Sequence, residues 1–204
     1  VNRNVIRELY KDMHTGFFDS VWMVGASKSD WWLSRWAGVD PATGSPMWYT
    51  VDGDLTFNFS YDNRVLLPEY SKEPDLSGGV SNTFSFGPFS ARVMMTYSIG
   101  GWTLTSYTQD DGHDTIGFNT VVEDLDHWRK PGDVSKNPKY VYKSSNMSTM
   151  SSTRFLYNKT NVQLKNITLS YTFPKPICRK AHLSGATFSL MGDNLYLWTP
   201  GQSK

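Results

Sequence analysis

Apolar and polar side chains alternate along much of this chain. Over residues 89–99, Phe89, Ala91, Val93, Met95, Tyr97 and Ile99 share one face, and Ser90, Arg92, Met94, Thr96 and Ser98 share the other. A period of two predicts a β-strand, here about as long as a barrel wall needs. Residues 80–86 alternate too, and Gly87-Pro88 between the two runs reads as a tight turn, so together they predict a hairpin. Near the end, Ile167, Leu169, Tyr171 and Phe173 alternate with Thr168, Ser170 and Thr172. Val162 and Leu164 lie upstream on the opposite parity. The switch at Lys165-Asn166 reads as a β-bulge, or as a strand leaving a membrane zone.

After Pro174-Lys175-Pro176, a strand is predicted over residues 185–191, with Ala186, Phe188 and Leu190 on one face, and a short one over 194–198. Shorter candidates are 17–24, 31–36, 47–51 and 55–59, with Asp52-Gly53 as the turn between the last two. Helical signals are confined to 4–13 and 120–128, the second with Asn119 or Thr120 as cap and Glu123 behind it. Residues 102–153 form the one long irregular stretch, rich in Ser, Asn, Asp, Gly and Pro. Long loops of this kind carry function or stay disordered. No fixed internal repeat is visible, which argues against a propeller or solenoid.

Composition sharpens this picture. Charged residues are 19% of the 204, while aromatics reach 15%, with 8 Trp, 11 Tyr and 11 Phe. Few charges and many aromatics call for a large aromatic core or an aromatic interface. Twenty Lys and Arg against 19 Asp and Glu leave a net charge of +1, so overall charge draws the chain neither to nucleic acid nor to an anionic membrane surface. The single cysteine, Cys178, excludes a disulfide-stapled module and reads as a small apolar residue. No apolar run is long enough for a transmembrane helix, but spanning β-strands leave only a weak hydropathy signal.

Catalytic and metal chemistry find little support. Asp110-Asp111-Gly112-His113-Asp114 is the densest cluster of ligand-type groups, but it lacks the further spaced ligands of a calcium loop and reads as a solvated turn. His14, His127 and His182 are scattered, and no nucleophile-elbow motif occurs. Trp31, Trp32, Trp36, Trp48, Tyr49, Trp102, Trp128 and Trp198 are suited to stacking on sugar rings. The interfacial belts of a barrel, or a core, use the same residue types, and that reading is preferred.

Five segments, taken in order, resemble the SusC/RagA type of TonB-dependent outer-membrane transporter. They are Trp36-Ala37-Gly38-Val39-Asp40-Pro41-Ala42-Thr43-Gly44-Ser45-Pro46, followed by an aromatic strand and Asp52-Gly53; Pro74 through Gly78-Gly79 to Ser81-Asn82-Thr83; Asp126-His127-Trp128-Arg129-Lys130-Pro131-Gly132-Asp133; Ser152-Thr153-Arg154-Phe155-Leu156 with Leu164-Lys165-Asn166-Ile167-Thr168-Leu169; and Gly192-Asp193-Asn194-Leu195 with Trp198-Thr199. In the first, Pro41 and Gly44 suit a turn and Asp40 is placed to accept local backbone donors. Ser170 departs from the family pattern, which has Gly there, and residues 158–161 replace its usual small-aromatic approach.

The resemblance implies an all-β fold: an antiparallel transmembrane β-barrel segment, part of a 22-stranded TonB-dependent transporter barrel, with long extracellular loops. It implies that residues 1–204 are a partial C-terminal barrel region, with the plug, the carboxypeptidase-like N-terminal domain and the final strands lying elsewhere. The implied location is the cell outer membrane, and the implied work is import of glycans or peptides, without catalysis, cofactor or metal. The implied partners are a SusD-like surface lipoprotein acting as lid, the TonB complex through the N-terminal region, the glycan or peptide substrate and outer-membrane lipid. Within the long loop, Trp102, Tyr107, Asp110, Asp111 and Trp128 are the expected contacts to lid or substrate. Two alternatives stand beside this one: a soluble β-rich glycan-binding module, and a siderophore-type TonB receptor. A soluble sandwich would turn its apolar strand faces inward to a protein core, whereas a barrel turns them outward to lipid.

Overall fold

The computed structural model describes residues 4–10, 15–17, 19–105, 126–141 and 147–200, with backbone only for 15–17. In chain order the strands are β1 (Thr15–Phe17), β2 (Ser20–Trp22), β3 (Asp30–Ser34), β4 (Trp36–Val39), β5 (Pro46–Tyr49), β6 (Leu55–Thr56), β7 (Arg64–Ser71), β8 (Leu76–Phe86), β9 (Phe89–Ile99), β10 (Trp102–Leu104), β11 (Leu156–Asn158), β12 (Asn161–Thr172) and β13 (Thr187–Trp198). One short helix, α1 (Lys175–Lys180), lies between β12 and β13. The pairs β1-β2, β3-β7, β4-β5, β5-β6, β8-β9, β9-β12 and β12-β13 are antiparallel. The chain divides into two compact units, one from the described residues of Pro74–Gly101 and Asn158–Lys204, the other from those of Arg3–Glu73 and Trp102–Tyr157.

The first unit is a four-stranded sheet in the order β13-β12-β9-β8, with strands of 11 or 12 residues. At about 3.4 Å per residue, 11 residues reach roughly 37 Å. Tilted by 35–45°, as barrel strands are, that length covers an apolar band of roughly 25 Å. The four strands neighbour one another in chain order, an up-and-down arrangement. The predicted hairpin is present, and β8 begins four residues earlier than the alternation suggested, at Leu76. Gly87 has φ +56 and Pro88 is held near −65°, so Gly leads a type II′ turn whose twist suits a two-residue hairpin.

The parity switch in β12 is a bulge. Leu164 pairs with Met95 and Asn166 with Met94, so Lys165 has no partner on β9. Across the other edge, Leu164 pairs with Tyr196 and Asn166 with Asp193, so Asn194 and Leu195 face Lys165 alone. Asn194 takes the left-handed conformation this needs, with φ +52, as Asn does more readily than most residues. The two short strands expected at the end are therefore one continuous strand, β13, interrupted by its own bulge.

The second unit is made of small sheets, β1-β2, β3-β7, β4-β5-β6 and β10-β11. Its core is Trp31, Leu33, Leu67 and Leu156, with Val65, Tyr70, Trp102 and Leu104 packed against it. The run predicted at 31–36 splits at Arg35 into β3 and β4, and β7 is a strand the alternation does not announce. The helix expected at 4–13 is not formed over residues 4–9: Ile6 N donates to Ala26 O at 2.8 Å and Gly25 N to Ile6 O at 2.9 Å, so this backbone pairs with a distant segment instead of with itself. Of the helix expected at 120–128, residues 120–125 lie outside the described residues. His127 forms a parallel bridge with Asn137.

Candidate functional site: a two-faced sheet and an aromatic loop network

Register aligns the side chains of the large sheet in rows. Phe86, Phe89, Tyr171 and Phe188 form one row across all four strands. The next row on that face is Phe84, Ala91, Leu169 and Leu190. At the far end, Val80, Met95, Leu164 and Tyr196 form a row, followed by Gly78, Tyr97, Val162 and Trp198. The row between these pairs of rows is Asn82, Val93, Ile167 and Gly192, so aromatic residues gather toward both ends of this face, the distribution of a barrel wall with interfacial belts. The bulge at Lys165 is what puts Val162 and Leu164 on the same face as Ile167 and Leu169.

The other face is hydroxyl-rich. Ser85, Ser90, Ser170 and Ser189 share a row, and the Oγ atoms of Ser170 and Ser189 are 2.8 Å apart. Thr83, Arg92 and Thr168 follow in the next row, which ends on Met191, and Arg92 Nε donates to Ser81 Oγ at 3.2 Å.

Among the described residues, no second layer of this unit covers the apolar face. Of the buried apolar side chains, Cys178 alone among the described residues belongs to this unit. Phe86 is 87% exposed and Leu190 62%. Phe84, Phe86, Phe89, Phe188, Tyr196 and Trp198 are all exposed. These rings alone leave on the order of 700 Å² uncovered, more than the largest patch typical of a soluble monomer.

In the second unit, aromatic rings and cations interlock. Trp48, 1% exposed, stands edge-on to Trp36 at 5.5 Å and to Phe59 at 5.6 Å. Arg64 lies over Trp32 at 3.9 Å and Arg154 over Trp36 at 4.9 Å, contacts in the range of cation–π attraction. Lys72 sits 4.2 Å from the Trp31 ring centre and donates to Ser20 Oγ. Burial lowers the Lys72 pKa, and the nearby Asp19 carboxylate only partly offsets it. Burial raises Asp19 in turn, against the attraction of Lys72 and Arg64. Asp30 is raised by burial as well, against a hydrogen bond of 3.1 Å from Ser27 N.

Two of the sequence motifs meet in space. Trp128 Nε1 donates to Pro41 O at 2.9 Å, Gly132 N donates to the same oxygen at 2.8 Å, and Lys139 N donates to Gly44 O at 3.0 Å. The Trp128 ring lies where a side chain on Gly44 would go: a Cβ there would stand 2.5 Å from ring carbons. Asp40 closes the turn as expected, accepting from Ala42 N at 3.1 Å and from Thr43 Oγ1 at 2.5 Å. The Thr43 hydroxyl, followed by the Ala42 N–H, holds the Asp40 carboxyl below its usual range.

Of the expected contact residues, Tyr107, Asp110 and Asp111 lie outside the described residues, as does the Asp110–Asp114 cluster. Trp102 packs on the core, edge-on to Tyr70 at 4.8 Å, and its carbonyl accepts from Trp31 Nε1 at 3.3 Å. Trp128 braces the 40–45 turn. The two are not brought together with each other by any contact described above. Sequence reasoning missed the pairing of Trp128 with Gly44, for which no local signal exists across so long a separation. Among the described residues no group of three or more His, Cys, Asp or Glu is placed to hold a metal ion. None of their helices is long and apolar enough to cross a membrane.

No family model matches the chain, and no curated protein does. Among solved structures 14 chains match. One of them, from the structure of the RagAB peptide transporter, superposes with a TM-score of 0.76 over 92% of this chain at 23% identity. The match takes in 21% of that longer chain, so the present sequence spans only part of the length of the protein it resembles. The chain therefore has the all-β fold of a stretch of that transporter, where the SusC/RagA resemblance of its five motifs also points.

Proposed function

We propose that this chain is part of the wall and outer loops of a TonB-dependent outer-membrane transporter that imports glycans or peptides without catalysing a reaction. The observation that carries this reading is the large sheet: long strands in chain order, an uncovered apolar face with aromatic ends, and a hydroxyl-rich face behind it. Lipid would cover the first face and the second would line the barrel interior. The likeness in fold to the RagAB peptide transporter supports the same reading. The shorter connections, the Gly87-Pro88 turn and residues 173–186 with α1, join strands at one end, while the much longer 100–160 segment joins β9 to β12 at the other. In barrels of this kind short turns are periplasmic and long loops extracellular.

A SusD-like lipoprotein is the proposed lid. The TonB complex would act through an N-terminal region outside this chain. Tyr107, Asp110 and Asp111 carry the proposed contact to lid or substrate. Trp102 and Trp128 would reach either one only through the surface their packing leaves exposed. A sandwich-type soluble module is disfavoured because its apolar face would need a covering layer.

The test is the mass of the intact polypeptide purified in detergent from native membranes, with whatever co-purifies. A polypeptide several times longer than this chain, with a lipoprotein beside it, is expected. A free chain of this length in the soluble fraction would overturn the reading and leave the glycan-binding module in its place.

A further inference from the structure

Beside the aromatic row at the short-turn end of the sheet, the apolar face is not flat. Ala91 is small, and larger neighbours surround it: Phe84 and Leu169 across the strands, Phe89 along its own. The step in height opens a cleft of about 450 Å³ with Phe86, Tyr171 and Phe188 among its walls. Its size falls within the roughly 300–1,000 Å³ of sites that hold small apolar molecules. Its lining is almost wholly apolar, the backing serines aside.

Charge next to the cleft says what would occupy it. Tyr171 belongs to the cleft, and its ring meets Phe173 at 5.0 Å. Two residues on begins α1, which carries Lys175, Arg179 and Lys180, all exposed. From Phe173 to Gly192 there is no Asp or Glu, and none in residues 76–91 that form the neighbouring hairpin turn. The short-turn end of the sheet is thus basic and free of carboxylates immediately next to an apolar cleft. A molecule matching both is an anionic phospholipid, its phosphate on the basic turn and an acyl chain in the cleft. Basic groups next to spanning segments attract anionic headgroups in this way.

We infer that the cleft around Ala91 and the basic α1 turn form one binding site for an anionic phospholipid of the leaflet that the short turns face. This rests on the wall reading above. Aromatic belts alone would give general lipid contact; the cleft and the three cations together select for headgroup charge and hold one lipid in place.

The test reconstitutes the intact polypeptide carrying this chain into phosphatidylcholine bilayers containing a minor share of phosphatidylglycerol. Lipids retained after gentle detergent extraction are counted by native mass spectrometry. Phosphatidylglycerol should be retained above its share of the bilayer. The triple substitution Lys175→Glu, Arg179→Glu, Lys180→Glu should lower its retention on the order of a hundredfold and leave phosphatidylcholine unchanged. Ala91→Trp, which fills the cleft and keeps the cations, should lower it too, with the heat-modifiable folded band on gels confirming that each variant is folded. Retention in proportion to the bilayer, or retention that neither variant changes, would overturn the site while the wall reading stands. Failure of the unaltered polypeptide to enter a purely phosphatidylcholine bilayer would overturn the wall reading and the site with it.

Discussion

Gly44 is fixed by two independent demands. Its φ of +71 lies in the left-handed region, and the Trp128 ring occupies the space a Cβ would take. Gly44→Ala therefore meets backbone strain and overpacking at once, roughly 1–3 kcal/mol. The expected sign of this is faster hydrogen exchange, by roughly 5- to 150-fold, at the Gly132 and Lys139 amides, which donate to Pro41 and Gly44. In a Trp128→Ala background the clash is gone, so the same substitution should cost less; equal costs in both backgrounds would mean that the ring contact contributes nothing. Asp40 in the same turn makes a pH prediction. Its folded pKa is depressed by Thr43 and Ala42, so its contribution to the turn is present above the ordinary carboxylate value and is lost as pH falls through the lower folded value. Protease nicking within residues 36–49 should rise below about pH 4, where an aspartate begins to protonate. Asp40→Asn should flatten that acid limb, since the side chain then has no charge to lose.

At the scale of the element, the bulge at Lys165 decides which way half a strand faces. Deleting Lys165 and Asn166 together sets Leu164 beside Ile167, so strict alternation turns Val162 and Leu164 to the hydroxyl-rich side, with Asn161 and Gln163 turned to the apolar side; deleting Lys165 alone removes only the unpaired residue and leaves both where they are. Removing two apolar side chains from an apolar medium costs roughly 1.5–3 kcal/mol each. The two-residue deletion should therefore abolish the heat-modifiable folded band of the detergent-purified protein, while deletion of Lys165 alone should keep it and Lys165→Ala, which keeps the extra residue, should stay within roughly 0.5 kcal/mol of the original. That bulge could be read in advance because alternation is a strict period of two, and a parity change at Lys165-Asn166 has only a few physical causes. β8 and β9 were legible for the same reason. β7 was not, because Pro68 interrupts its pattern and its bulge opposite Asp30 and Trp31 breaks the register. α1 was hidden by Lys175-Pro176, which reads as a turn yet sits in the first helical turn, where proline is tolerated. The candidate contact residues were the least legible part. An exposed aromatic platform and an aromatic brace look alike in sequence, and only the partners of Trp102 and Trp128 distinguish them.

For the whole molecule the question is what medium touches each side of the large sheet. Leu190 and Ser189 are neighbours in β13 on opposite faces, in rows that run across all four strands. If the sheet is a wall, one looks into lipid and the other into the barrel interior, only one residue apart in the chain. Single cysteines at these positions, Leu190→Cys and Ser189→Cys, can carry a small fluorophore, because Cys178, the one thiol of these 204 residues, is buried. In bilayers of brominated phosphatidylcholine the label at 190 should be strongly quenched and the label at 189 scarcely at all. Arginine should discriminate in the same sense: Leu190→Arg should cost up to roughly 2–4 kcal/mol, falling with its distance from the bilayer midplane, and Ser189→Arg little. A soluble sandwich predicts a different result. There Leu190→Arg would also be costly, because a protein core rejects charge as lipid does, but neither label would respond to bromine on a lipid chain. Quenching at 190 alone is thus the outcome that belongs to a wall and to no other arrangement of this sheet, and equal quenching at both positions would mean that the hydroxyl-rich face does not line a lipid-free interior.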